Sequence, residues 1–303
     1  MDIEALSTPC VLIDIDRVRA NIRRAQDYAD KSDFALRPHI KTHKIPAFAH
    51  MQIEAGARGI TCQKLGEAEV MADAGLDDIL ISYNIIGFDK LTRLAALARR
   101  IRLTVAADSL FPVNGYNEVA AATGVTFDVL SECDAGGGRC GVQTPDEAVA
   151  RAAALKRGAR FAGLMTYPAA GGTDTMAGRL TELLAAFEQA GIAVGTVSAG
   201  GTPDLWKAHT VSGVTEYRPG TYVYMDRSQV AAGAATPDDC ALTVLATVVS
   251  KPLPNRAIID AGPNTLTSDL LGMEGFGYLP ARPEAGSYPP LALPTKRSVW
   301  HPM

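Results

Sequence analysis

The chain has 303 residues, 47% of them hydrophobic and 20% charged, with a formal net charge of −4. Such a composition suits a soluble globular protein with a substantial core, and the length fits a barrel of about 250 residues with a small domain appended. There is no block of like charge, no apolar run near the roughly 18 residues that cross a bilayer, and no basic leader before an apolar stretch, which argues against nucleic acid, membranes and secretion. The five cysteines (Cys10, Cys62, Cys133, Cys140 and Cys240) are scattered and form no C-x-x-C pair, so reduced thiols in a cytoplasmic protein are expected.

In chain order, residues 9–14 read as a strand and 16–29 as a helix. Eight β-like runs then follow, at 34–41, 59–63, 79–83, 101–107, 126–133, 161–167, 194–199 and 214–218. Amphipathic stretches at 65–74, 90–99, 112–122, 145–157 and 176–190 carry apolar residues at helical spacing. Serial β/α units predict an α/β fold, a closed (β/α)8 TIM-type barrel over residues 14–234. The rival, a doubly wound sheet, calls for a G-x-G-x-x-G turn after its first strand, where this chain has Lys41-Thr42-His43-Lys44. Past residue 234 the helical periodicity disappears. Residues 241–249 and 256–260 read as strands of a smaller C-terminal β-domain, formed by 235–303 together with 1–13.

The first barrel strand carries the chemistry. Alternation puts Arg37, His39 and Lys41 on one face and Leu36, Pro38 and Ile40 on the other. The apolar set suits the helices outside the barrel, so the basic set points inward, where unpartnered charge is costly and an anionic ligand would relieve it. Crowding and a neighbouring cation such as Arg37 would lower the pKa of Lys41 and free its amine as a nucleophile. The spacing alone also allows a solvated basic loop. After the seventh strand comes Ser198-Ala199-Gly200-Gly201-Thr202-Pro203-Asp204, and after the eighth Arg218-Pro219-Gly220-Thr221-Tyr222. Loops in these two positions commonly bind phosphate in barrels, although a plain tight turn explains either one taken singly.

Residues 37–44 (RPHIKTHK) resemble the signature of the D-threonine aldolase and D-serine dehydratase family, which has the alanine-racemase type of pyridoxal-phosphate fold. So do residues 62–69 (CQKLGEAE), 134–141 (DAGGGRCG), the Gly-Gly-Thr-Pro turn, 218–226 (RPGTYVYMD) and 259–262 (IDAG), in the family's order from about residue 8 to 285. The resemblance implies that Lys41 holds pyridoxal 5'-phosphate covalently. Gly200, Gly201, Thr202, Gly220, Thr221 and Tyr222 would take its phosphate. Arg139 would reach the ring's phenolic side or support Lys41, Tyr167 would line ring or substrate, and His39 and Gln63 would complete the cofactor site. Capping or surface duty for Arg139 and a core position for Tyr167 are the plainer alternatives.

The implied activity is that of a lyase acting on D-β-hydroxy amino acids, with retro-aldol cleavage to glycine and an aldehyde preferred because residues 63–69 look closer to the aldolases. Dehydratase-type elimination and non-catalytic cofactor binding stay open. A homodimer is implied by analogy. The family's divalent metal (Mn or Zn) is held by a histidine followed two residues later by cysteine or aspartate, and this chain has no such pair. Related aldolases also place a histidine in the loop after strand six, where this chain reads Pro168-Ala169-Ala170-Gly171-Gly172-Thr173. Residues 286–303 contain four prolines, no acidic residue and no strand alternation. A shifted frame or a truncation replacing the metal-bearing segment is therefore expected, which would leave the β-domain incomplete and turnover impaired.

Overall fold

Strand β1 (Cys10–Ile13) and helix α1 (Ile15–Lys31) open the chain in the computed structural model, which describes residues 2–262, 265–266, 269–273, 275–279 and 298–302, the last five by backbone alone. Two compact units result, residues 23–220 and residues 1–22 with 221–303, and the division falls within α1.

The first unit alternates β2 (Ala35–Leu36), α2 (Pro46–Glu54), β3 (Ile60–Cys62), α3 (Leu65–Asp73), β4 (Asp78–Ile81), α4 (Phe88–Ala98), β5 (Arg102–Ala107), α5 (Leu110–Thr123), β6 (Phe127–Cys133), α6 (Pro145–Ala154), β7 (Ala159–Thr166), α7 (Thr173–Gln189), β8 (Thr196–Ala199) and β9 (Glu216–Tyr217). The eight strands β2–β9 form one parallel sheet in the order β2-β9-β8-β7-β6-β5-β4-β3. The first strand pairs with the last, as a barrel requires. Along the remaining seam, His39 bridges Thr61, the Thr61 amide donates to Pro38 O at 2.7 Å and the Arg58 amide to Leu36 O at 2.9 Å.

The strand expected over 34–41 is shorter than its pattern suggests. Pro38 has no N–H for the ladder, so regular pairing stops at Leu36, and Lys41 sits in a 3-10 turn over Ile40–Thr42. The faces nevertheless follow the alternation: Leu36 and Ile40 are buried, Ile40 within the apolar layer between strands and helices. Helix boundaries follow local chemistry. Thr144 and Glu147 form a capping box ahead of α6 with Pro145 in its first turn, and Gly124 ends α5 in the left-handed region. Helix α2 escapes the sequence reading because PAFAHMQIE has almost no one-sided apolar stripe, even though Phe48, Ala49 and Gln52 are buried.

Inside the barrel, Leu80, Ala106, Leu130 and Met165 on β4–β7 form a small apolar cluster. The β2, β8 and β9 side instead contributes the buried Arg37, Ser198, Glu216 and Arg218.

The second unit holds α8 (Arg227–Ala231), β10 (Leu242–Ala246), β11 (Val248–Leu253), β12 (Arg256–Ile259), β13 (Gly277–Tyr278) and β14 (Ser298–Pro302). One sheet has the order β1-β10-β14-β13, with Cys10 opposite Leu245 and Ile13 opposite Leu242, while β11 and β12 form a hairpin. The N-terminal strand thus pairs with β10 in this sheet. Val244, Ala246, Ala261, Leu266 and Leu279 form its core. The expectation for 286–303 falls largely outside the described residues. The backbone of Ser298–Pro302 pairs antiparallel with β10 and β13.

Candidate active site

Lys41 stands at the C-terminal end of the barrel strands, in the turn that follows β2. The His39 side chain caps this turn by accepting the Lys41 amide at Nδ1, 3.3 Å away. With Nδ1 used as acceptor, Nε2 carries the proton and faces Gln63 Oε1 at 3.3 Å and Ser82 Oγ at 3.2 Å. Gln63 is held in turn by Glu67, whose carboxylate accepts the Gln63 and Lys64 amides at 2.9 and 3.3 Å ahead of α3. Glu67 also pairs with Lys44 at 3.3 Å.

The Lys41 side chain opens to solvent, but one flank is crowded. Its Nζ lies 5.7 Å from the centre of the Tyr167 ring, and the Arg139 guanidinium stands 5.1 Å from the same ring. Crowding lowers the Lys41 pKa from the ordinary lysine value; Arg139 and Arg218 lower it further, and Glu67 opposes them. Arg37 is not the responsible cation. It is engaged by Glu216 at 2.7 Å and Asp78 at 2.5 Å.

The glycine turns meet this group. A Cβ at Gly201 would lie 3.1 Å from the Tyr167 ring, and one at Gly220 would lie 3.1 Å from Thr42 Oγ1 and 3.2 Å from His39 O. Gly200 has φ +84°, and a Cβ there would fall inside the Tyr217 ring, so only glycine fits. Thr202 starts a 3-10 stretch (Thr202–Thr210) that is kinked at Asp204, and its hydroxyl accepts the Gly220 amide at 3.2 Å. Lys41, Arg139, Tyr167, His39, Gln63, Gly200, Gly201, Thr202 and Gly220 therefore gather at one end of the barrel. Thr221 and Tyr222 come next in the chain as a short 3-10 turn (Thr221–Val223) of the other unit.

Tyr167 is 41% exposed, which removes its plainer reading as a core tyrosine. Arg139 lies on the glycine-rich loop after β6 and pairs with Glu132 at 3.7 Å. The sequence reading overlooked Glu132 and Arg218. Glu132 is buried, accepts the Cys140 thiol at 3.0 Å, and has its pKa raised by burial. Arg218 is 4% exposed and donates to Ser198 Oγ and Thr166 O at 2.7 and 2.9 Å. Its inward position was readable, since it alternates with the outward Tyr217 and shares its face with Glu216.

Burial, then Lys41 and Arg218, push His39 down to about 3, and burial pushes His43 down to about 4. Both values lie below the ordinary 6.5, so the unfolded chain binds more protons in between. Stability is complete above pH 6.5 and is lost as pH falls toward these values. Urea midpoints should therefore drop on acidification through pH 6 to 4, and His39→Gln should flatten that slope. A slope unchanged by the substitution would assign the loss to other groups.

A family model for the alanine racemase N-terminal domain matches residues 13–228, and a second, for a serine dehydratase domain, matches 241–298. The chain belongs to the alanine racemase N-terminal domain family. A D-threonine aldolase from an Arthrobacter species is 36% identical to it, covering 93% of this chain and 79% of the relative. The D-threo-3-hydroxyaspartate dehydratase of Delftia sp. HT23 is 33% identical, covering 90% and 77%. The crystal structure of D-threonine aldolase from Filomicrobium marinum superposes with a TM-score of 0.86 at 33% identity, covering 98% of this chain and 82% of that one. The second match extends past residue 285, where the resemblance visible in the sequence ends.

Proposed function

We propose that the chain is a pyridoxal-phosphate-dependent lyase that cleaves D-β-hydroxy amino acids to glycine and an aldehyde, as a D-threonine aldolase does. The observation that carries this reading is the Lys41 amine, depressed in basicity and open to solvent, beside the Gly200–Thr202 and Gly220 turns.

These residues fit a phosphorylated aldehyde. Lys41 offers the amine. The glycines at 201 and 220 leave space that a side chain would fill, and backbone N–H groups in such turns suit an anion. In this reading Gly200, Gly201, Thr202, Gly220, Thr221 and Tyr222 take the phosphate. His39 and Gln63 form a hydrogen-bonded wall, and Tyr167 and Arg139 border the ring. The cofactor would supply an electron sink for the bond that breaks. With its pKa lowered, Lys41 is available both as nucleophile and, once displaced by substrate, as a proton carrier. Neutral His39, with both ring nitrogens engaged, orients rather than transfers. Among the described residues no three or more His, Cys, Asp and Glu side chains converge as a group that could hold a metal ion.

All five cysteines are free, and no described helix is long and apolar enough to cross a membrane, which supports a cytoplasmic location as part of the proposal. A homodimer is proposed on the exposed Tyr83, Ile86, Phe88, Leu110 and Phe111, at and just beyond the ends of β4 and β5.

The test loads the full chain with pyridoxal phosphate, follows the visible band of the lysine-bound cofactor, and assays D-threonine and D-phenylserine with Mn²⁺. Aldehyde release is expected. Pyruvate from D-serine without aldehyde would move the assignment to the dehydratases, and a visible band with neither product would leave a cofactor carrier.

A further inference from the structure

The connection from β7 to α7 begins with Tyr167, and its Ala169, Ala170 and Gly171 are exposed. Part of its shape is its own: the Gly172 amide donates to Ala169 O at 2.9 Å, and Gly171 has φ +75°. Among the described residues, one hydrogen bond carries residues 168–171 to another loop. The Gly171 amide donates to Asp204 Oδ2 at 2.8 Å.

Asp204 is a costly partner for a loop amide. It is 6% exposed, and its other oxygen has only Lys207 Nζ, 4.0 Å away on a side chain that is largely in water. A buried carboxylate with so few donors is hard to justify by loop-tying alone. Its place in the chain supplies a reason. Asp204 stands at the kink just after the turn at 200–202, separated from Thr202 by Pro203 alone. The same turn meets the connection a second time, since a Cβ at Gly201 would lie 3.1 Å from the Tyr167 ring. That ring is the one that Lys41 Nζ and the Arg139 guanidinium face, at 5.7 and 5.1 Å.

We propose that Asp204 is a positioning residue that couples the turn at 200–202 to the Tyr167 connection, so that an anion settling in the turn also steadies the ring beside Lys41 and Arg139. This rests on the reading of residues 200–202 as a phosphate turn. The amides of that turn draw toward a bound anion. Pro203, with its fixed φ, passes the adjustment on to Asp204 instead of absorbing it. The carboxylate then carries it to the Gly171 amide.

The experiment follows amide hydrogen exchange in the full chain without cofactor, with and without inorganic phosphate. Phosphate is expected to slow exchange at 200–202 and, several-fold, at 169–172. Asp204→Ala should speed exchange at Gly171 by about five- to ten-fold and abolish the phosphate effect at 169–172 while keeping it at 200–202. Asp204→Asn, which keeps an oxygen for the Gly171 amide, should restore the coupling, and Lys207→Ala should behave like the unmodified protein. In the loaded enzyme, adding Asp204→Ala to Tyr167→Ala should reduce aldehyde release no further than Tyr167→Ala alone, because the first acts through the second. Should Asp204→Ala fail to fold, the response of the unmodified protein still decides. Protection at 200–202 with none at 169–172 would overturn the coupling alone. No protection at 200–202 would remove the phosphate turn itself, and this inference with it.

Discussion

Lys41→Ala is expected to leave a folded barrel that no longer traps pyridoxal phosphate on borohydride treatment, with aldehyde release reduced by on the order of 10⁴-fold or more. Lys41 is solvent-open at the strand ends and lies outside the apolar layer, so its removal costs little packing. Lys41→Arg sharpens the result. It keeps a cation near Tyr167 and Arg139 but offers no amine, so it should behave like the alanine variant. Mass spectrometry of the reduced protein reads the outcome directly. A cofactor adduct on any other lysine, with Lys41→Ala still active, would sink the assignment.

The second large effect is on stability. Arg37→Met is expected to destabilise the chain by about 3–5 kcal/mol, because it leaves the Glu216 carboxylate, accepting only Ser198, and Asp78 without their common cation. Urea denaturation measures this. Adding Glu216→Gln to Arg37→Met should recover part of the loss, since an uncharged amide is cheaper to bury than an unpaired carboxylate. A loss below about 1 kcal/mol would mean that water reaches these groups and overturn the reading of them as enclosed.

Strand alternation was enough to place Arg37 and His39 toward the interior, and to anticipate that charge there would need partners. It could not say which partners. Arg37 finds Glu216 and Asp78, from positions 179 and 41 residues away, and so cannot serve as the cation beside Lys41. That role falls to Arg139 and Arg218, whose proximity depends on the barrel closing. The glycine turns were readable because their position after the last two strands carries meaning. The 3-10 turn at Lys41 was hidden, since a lone proline interrupts a ladder without changing the side-chain pattern. Helix α2 was missed for a related reason: Gln52 lies on its buried face while the apolar Ala47, Met51 and Ile53 lie off it, which erases the one-sided stripe that periodicity detects.

Closure of the barrel pairs β2 with β9, so residues 35 and 216 must meet before Lys41 has Arg218 or the Gly220 turn for company. Before that long-range encounter the amine at position 41 lacks these neighbours. Selective capture of an aldehyde at this one position would thus serve as a chemical clock for refolding, marking the moment at which the two ends of the sheet find each other.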